Sequence, residues 1–106
     1  MTRCWSLLVG SHHFGGSGRF SRANDRRLQE ITAEYFPVGY TILNASGGWY
    51  DPEKQRFIRE ESRQVLVCTG DRRAVKKWAK ALGRALHQKE LLLVEHGTAA
   101  TISTRR

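Results

Sequence analysis

Residues 39–69, GYTILNASGGWYDPEKQRFIREESRQVLVCT, constrain this chain more than any other stretch. A strand-forming run at 40–45 and an apolar run at 64–69 flank the polar sequence Asp51-Pro52-Glu53-Lys54-Gln55, so the stretch reads as a long antiparallel hairpin. Ser46-Gly47-Gly48 interrupts the first arm, and the two glycines predict a bulge or bend there. A hairpin of this length must be backed by other elements, because two strands alone are marginal in water.

The flanking sequence supplies that backing. Before the hairpin, residues 4–9 (CWSLLV) form a short apolar run closed by Gly10, as expected of a central strand. A glycine-rich loop follows over 10–20. Ser21 is positioned to cap a helix whose buried face is Leu28, Ile31, Thr32 and Tyr35, and Pro37 ends that helix. After the hairpin, Asp71 caps a second helix with the apolar stripe Val75, Trp78, Ala79, Leu82, Ala85 and Leu86. A fourth strand is expected over 90–95, and the Thr- and Ala-rich remainder adds a short extension or a loose tail at 97–106.

The order β-α-β-β-α-β is that of a ferredoxin-like domain, α+β, with a four-stranded antiparallel sheet and two helices on one face. Right-handed crossovers fix the strand order as 4-1-3-2 and make CWSLLV and QVLVC central. At 106 residues the chain is expected to be one domain over its whole length. Both faces of the central strands carry apolar residues. The helices cover one, and the other is expected to pack against a second copy in a homodimer.

Charge and cysteine content bound the function classes. A formal net charge of +8 favours polyanionic partners such as nucleotides or nucleic acid. The histidines and the two cysteines lack metal-ligand spacing, so neither a metal nor a cofactor is expected. Cys4 and Cys68 read as buried thiols acting as small hydrophobes. A bond between neighbouring strands is the alternative and would require an oxidising compartment. No export signal or membrane-spanning run is evident, which gives the cytoplasm as the expected location and no membrane partner.

The hairpin also carries a resemblance. Phe36-Pro37, Gly39-Tyr40-Thr41, Gly48-Trp49, and Glu61-Ser62 leading into 65–68, together with Phe14-Gly15 in the earlier loop, resemble the DUF3574 group of small uncharacterised bacterial proteins over residues 5–95. With an aromatic after a glycine and a Glu-Ser pair before the third strand, the hairpin also resembles those of small proteins of phages and mobile elements. The resemblance implies a compact α+β domain and no particular activity. Members of the group often look like secreted lipoproteins, an aspect not expected here because no export signal is read in the sequence.

Three function classes fit the residues. The first is a non-enzymatic binder of a small anionic ligand such as a nucleotide, in the manner of a phage or mobile-element protein that sequesters a host nucleotide. The loop would supply backbone amides with His12, His13 and Arg19, and the hairpin would supply Trp49 as a stacking ring and Glu60 and Glu61 as acceptors. Glu60 and Glu61 are sequence neighbours on a strand and so point to opposite faces. The plainer reading pairs one of them with Arg59 or Arg63. The second class is a nucleic-acid binder using Arg72, Arg73, Lys76, Lys77, Lys80 and Arg84 of the second helix, although a solvated face explains such a row as well. The third is a small dimeric α+β enzyme with His12 or His13 as acid–base group. The sequence assigns no catalytic residue and favours the first class. A glycine loop of mere turns, with surface histidines, is the structural alternative.

Overall fold

The structure, a computed structural model, describes residues 2–11, 18–88, 91–100 and 102–103. Along the chain run β1 (Thr2–Gly10), α1 (Arg22–Tyr35), β2 (Thr41–Asp51), β3 (Arg56–Thr69), α2 (Arg72–Ala85) and β4 (Leu92–Ala99). The strands form one antiparallel sheet in the order β2-β3-β1-β4. The ferredoxin-like order expected from the sequence is therefore the observed one, with the two most apolar strands at the centre.

Alternation along the strands separates the two faces of the sheet. Trp5, Leu7, Val9, Val65 and Val67 point towards the helices and are buried with Leu28, Phe36, Val75, Trp78, Leu82 and Leu86. The capping residues act as expected: Ser21 Oγ accepts from the amide of Asn24 at 3.1 Å, and Asp71 Oδ1 accepts from that of Ala74 at 3.1 Å. A buried hydrogen bond ties the two helices, with Trp78 Nε1 donating to Thr32 Oγ1 at 3.1 Å, and Phe36 meets the edge of the Trp78 ring at 5.1 Å. Arg63, nearly buried on this face, donates to both oxygens of Asp25 on α1 at 3.0 and 3.2 Å and stacks on Phe20.

Three local expectations are corrected. The Ser46-Gly47-Gly48 segment is not a bulge: β2 and β3 stay in one unbroken register from Thr41↔Leu66 to Asp51↔Arg56. The irregularity lies in β4, where Cys4 faces Gly97 and the next residue, Trp5, faces Glu95. His96 is the extra residue, and Gly97 takes a φ of +94°, which glycine adopts without a side-chain clash. β4 starts at Leu92, later than expected, and continues to Ala99, which is the short extension rather than the loose tail of the two alternatives for that stretch.

The cysteines are not buried thiols. Cys4 and Cys68 face each other across β1 and β3 with Cα atoms 4.0 Å apart and are joined as a disulfide, Cys68 being exposed. The alternation that puts Trp5 and Val67 in the core puts their neighbours on the open face. No helix is long and apolar enough to cross a membrane among the described residues.

The β2–β3 hairpin extends beyond the rest of the sheet. Pairing of β1 with β3 stops at Gly10↔Ser62, whereas β2 and β3 remain paired to the turn, so residues 46–61 form a two-stranded arm. At its tip Asp51 Oδ1 accepts the amide of Glu53 at 2.9 Å, which fixes the turn after Pro52, and Gln55 completes it at a φ of 52°.

Candidate ligand site on the hairpin arm

Where β1 ends, the described ends of the loop that follows, Ser11 and residues 18–20, are tied to β3 through Glu60 and Glu61. The Ser11 amide donates to Glu60 Oε2 at 3.1 Å and its hydroxyl to the Glu61 carbonyl at 2.6 Å. At the other end, the Glu61 amide donates to the Gly18 carbonyl at 2.7 Å and the Phe20 amide donates to Glu61 Oε1 at 3.1 Å. Gly18 thus continues the pairing that β1 gives up at Gly10. Its φ of +68° and the closeness of the Arg59 carbonyl, 3.2 Å from where a Cβ would lie, both call for glycine.

The two glutamates point to opposite sides of the ribbon, as expected, but neither makes the ion pair with Arg59 or Arg63 that the plainer reading assigns. Arg63 turns to Asp25, and the two carboxylates accept backbone amides of the loop. Consecutive residues thus serve the two described ends of the loop, Glu60 at Ser11 and Glu61 at Phe20.

The remaining expected site residues are divided between the faces. Trp49 pairs with Ile58 on the open-sheet side, the side of Glu60, and is partly exposed. Glu61 lies on the helix side. Arg19 is exposed, between the anchored Gly18 and Phe20. His12 and His13 lie outside the described residues. Trp49 and Glu61 therefore do not line one surface.

What the arm does present is a cleft of about 600 Å³ lined by Ser46, Gly47, Gly48, Phe57 and Arg59. Phe57 is 70% exposed and meets the edge of Tyr50 at 5.7 Å. The glycines form the floor: neither has a positive φ, and a Cβ on either would stand 3.4 Å or more from its nearest neighbour. Gly48 lies on the face of Phe57 and Arg59, where its lack of a side chain leaves room above the ribbon, while Gly47, paired with Glu60, contributes only backbone to that floor. The sequence marked the glycines but not Phe57 and Arg59. The visible signal was their spacing: they alternate with Ile58 and Glu60 and so share a face with Gly48 and Ser46 once the register is known.

A second polar group sits at the centre of the open face. Ser6 is buried, its hydroxyl bonded to Gln64 Nε2 at 3.0 Å and His96 Nε2 at 2.6 Å. The bulge at His96 brings that ring over β1. No group of His, Cys, Asp and Glu able to hold a metal occurs among the described residues. On α2, Arg73, Lys76, Lys77, Lys80 and Arg84 are exposed, while Arg72 also pairs with Glu95 at 3.3 Å.

Fold and arm together define a ferredoxin-like α+β protein with an overhanging hairpin. Residues 22–101 match the model of the family described as "Protein of unknown function (DUF3574)", and the chain belongs to that family. No curated protein matches the sequence. Among solved structures, the chain is similar to a phage SAM lyase in its apo state, with a TM-score of 0.65 at 10% identity over 90% of this chain and 79% of that one. The same description of a phage SAM lyase, in complex with S-methyl-5'-thioadenosine, matches with a TM-score of 0.58 at 11% identity over 93% and 90%. The periplasmic divalent cation tolerance protein CutA from Archaeoglobus fulgidus gives 0.60 at 9% identity over 96% and 88%. The B. subtilis GlnK–ATP complex gives 0.52 at 9% identity over 88% and 82%. At these identities the likeness is one of fold.

Proposed function

We propose that this protein is a non-enzymatic binder of a small anionic ligand, a nucleotide in the first instance, and that the ligand lies in the arm cleft beside the loop anchored by Glu60 and Glu61. The observation that carries this reading is the composition of the cleft. An exposed phenyl ring and a guanidinium flank a glycine floor, a set suited to stacking a base and neutralising a phosphate. The net charge of +8 would draw an anion towards it. Two of the similar folds were solved with adenosine compounds, S-methyl-5'-thioadenosine and ATP, which makes adenine nucleotides the first probes to use.

The experiment is a thermal-shift series with ATP, ADP, AMP and GTP on the unmodified chain, Arg59→Gln and Gly48→Ala. A nucleotide at a hundred times its Kd should add about 2.7 kcal/mol of stability. The gain should disappear in both variants, while their midpoints without nucleotide stay near that of the parent. No shift with any nucleotide at millimolar concentration sinks the proposal.

A second reading rests on the exposed row Arg73, Lys76, Lys77, Lys80 and Arg84: α2 would hold nucleic acid through its phosphates. Affinity for DNA or RNA should then fall steeply with salt and be lost in a Lys76→Glu/Lys77→Glu/Lys80→Glu variant. Unchanged binding by that variant would rule it out.

We also propose that two copies pair through the open face. Leu43 on β2 and Leu92 on β4 are exposed there, at 49% and 61%, and Leu8 and Leu66 lie between them, so a like face offers the matching apolar surface. Sedimentation should give a dimer that Leu43→Lys dissociates, and a monomer at all concentrations would end the idea. The cytoplasm expected from the sequence and the Cys4–Cys68 disulfide pull in different directions. Alkylation of the protein in its native host, read by mass, distinguishes the two.

A further inference from the structure

The opposite end of the sheet from the arm holds a different cleft, about 210 Å³, lined by Arg3, Trp5, Gly70, Arg72 and Glu95. It sits where β1 begins, where β3 turns into α2, and where β4 passes alongside. We infer that this cleft binds a small oxyanion, a phosphate or carboxylate group.

The inference starts from Trp5. Its side chain is 4% exposed, and its indole Nε1 is buried with no hydrogen-bond acceptor. A buried donor left unpaired is costly, and buried polar groups in folded proteins nearly always have a partner. Trp78 shows the usual outcome in this same protein, with its indole N–H bonded to Thr32. Trp5 differs in lining a cleft that opens to solvent.

The chemistry of the other walls selects the ligand. Glu95 is the carboxylate of the cleft, and both of its oxygens are engaged, Oε1 by Arg3 Nη1 and Oε2 by Arg72 Nη2. Asp71 next to the cleft is also engaged, capping α2 through the Ala74 amide. Each arginine has five N–H donors, and one nitrogen of each is used on Glu95, so donors remain on both. The Arg72 guanidinium carbon lies 5.5 Å from the Trp5 ring centroid, so one side chain brings its charge to the indole. Engaged acceptors and surplus donors call for a ligand that only accepts. The positive end of α2, which starts at Arg72, favours that ligand being an anion. This site shares no residue with the arm cleft and does not depend on what that cleft binds.

The test is a titration followed by the three indole N–H resonances of Trp5, Trp49 and Trp78 in 15N-labelled protein. The Trp5 signal is identified by its loss in Trp5→Phe. Inorganic phosphate, acetate and chloride are added in parallel at constant ionic strength. Phosphate or acetate should move the Trp5 signal downfield to saturation and leave Trp78 in place, and the arm that saturates first identifies the oxyanion. Chloride should do neither. Arg72→Gln, a change at an exposed side chain, should weaken binding about tenfold, the effect of losing one charged hydrogen bond, and Lys77→Ala/Lys80→Ala should leave it intact. A Trp5 signal that ignores both oxyanions would show that the cleft holds water only. A response that survives Arg72→Gln but vanishes in the lysine variant would place the anion on the outer face of α2. Either result overturns the inference.

Discussion

Glu61 accepts the backbone N–H of Phe20 at 3.1 Å, across a sequence separation of 41 residues. The same residue donates its own amide to Gly18 and accepts the Ser11 hydroxyl through its carbonyl. One strand residue thus holds both ends of the loop that follows β1, with its backbone in the sheet and its side chain at the loop exit.

Replacing Glu61 by Ala should free the Phe20 amide and leave the two backbone bonds in place. A hydrogen bond to a charged group contributes about 1.5–3 kcal/mol, and the partial burial here places the loss at the low end. Glu61→Gln keeps an accepting oxygen and should retain most of the stability. Hydrogen exchange at Phe20 reads the effect directly. Equal protection in Ala and parent would show that the carboxylate does not anchor the loop.

Gly18→Ala tests the backbone at the same place. The residue sits at a φ of +68°, with the Arg59 carbonyl 3.2 Å from the added methyl, and neither can be relieved by turning a side chain. A loss of about 1–2 kcal/mol is expected. Gly39→Ala is the control, since nothing lies within 4 Å of its Cβ position. Urea midpoints of the two variants should separate clearly, and the idea fails if they coincide.

The contrast between these two glycines shows where the sequence was legible. Strand order followed from local signals: two apolar runs, two capped helices and the crossover rule, none requiring a partner residue to be known. The work of Glu60 and Glu61 was not, because the Ser11 and Phe20 groups that they accept are backbone amides, which carry no side-chain signal in the sequence. Gly47-Gly48 misled for a related reason. Glycine permits a bulge, but an unbroken ladder leaves the same residues as an open floor. Cys4 and Cys68 could be placed on central strands, and only the register Cys4↔Cys68 brings them together on the open face.

The helix layer is held by polar contacts as well as by its core. Thr32→Val preserves shape but strands the Trp78 indole N–H in a buried site, and should cost about 1–3 kcal/mol. Asp25→Asn should cost about 2 kcal/mol, because Arg63 keeps its charge with 8% of its side chain exposed. It remains below the largest values for broken buried pairs because Asp25 is 35% exposed and Arg63 also bonds the Ser62 carbonyl. Equilibrium unfolding in urea measures both. A Thr32→Val variant as stable as its parent would mean that the indole finds another acceptor.

The disulfide offers the sharpest conditional effect. Cys4 and Cys68 lie 64 residues apart in sequence, and closing a loop of that length stabilises by about 4 kcal/mol in the chain-entropy account. The flanking pairs Arg3↔Thr69 and Trp5↔Val67 are ladder contacts that do not need the bond, so the reduced chain should keep its sheet while losing stability. Reduction should therefore lower the urea midpoint without changing the far-UV spectrum below the transition. The Cys4→Ser/Cys68→Ser variant should match the reduced protein and ignore reductant. Identical midpoints with and without reductant would show that the bond contributes nothing to stability.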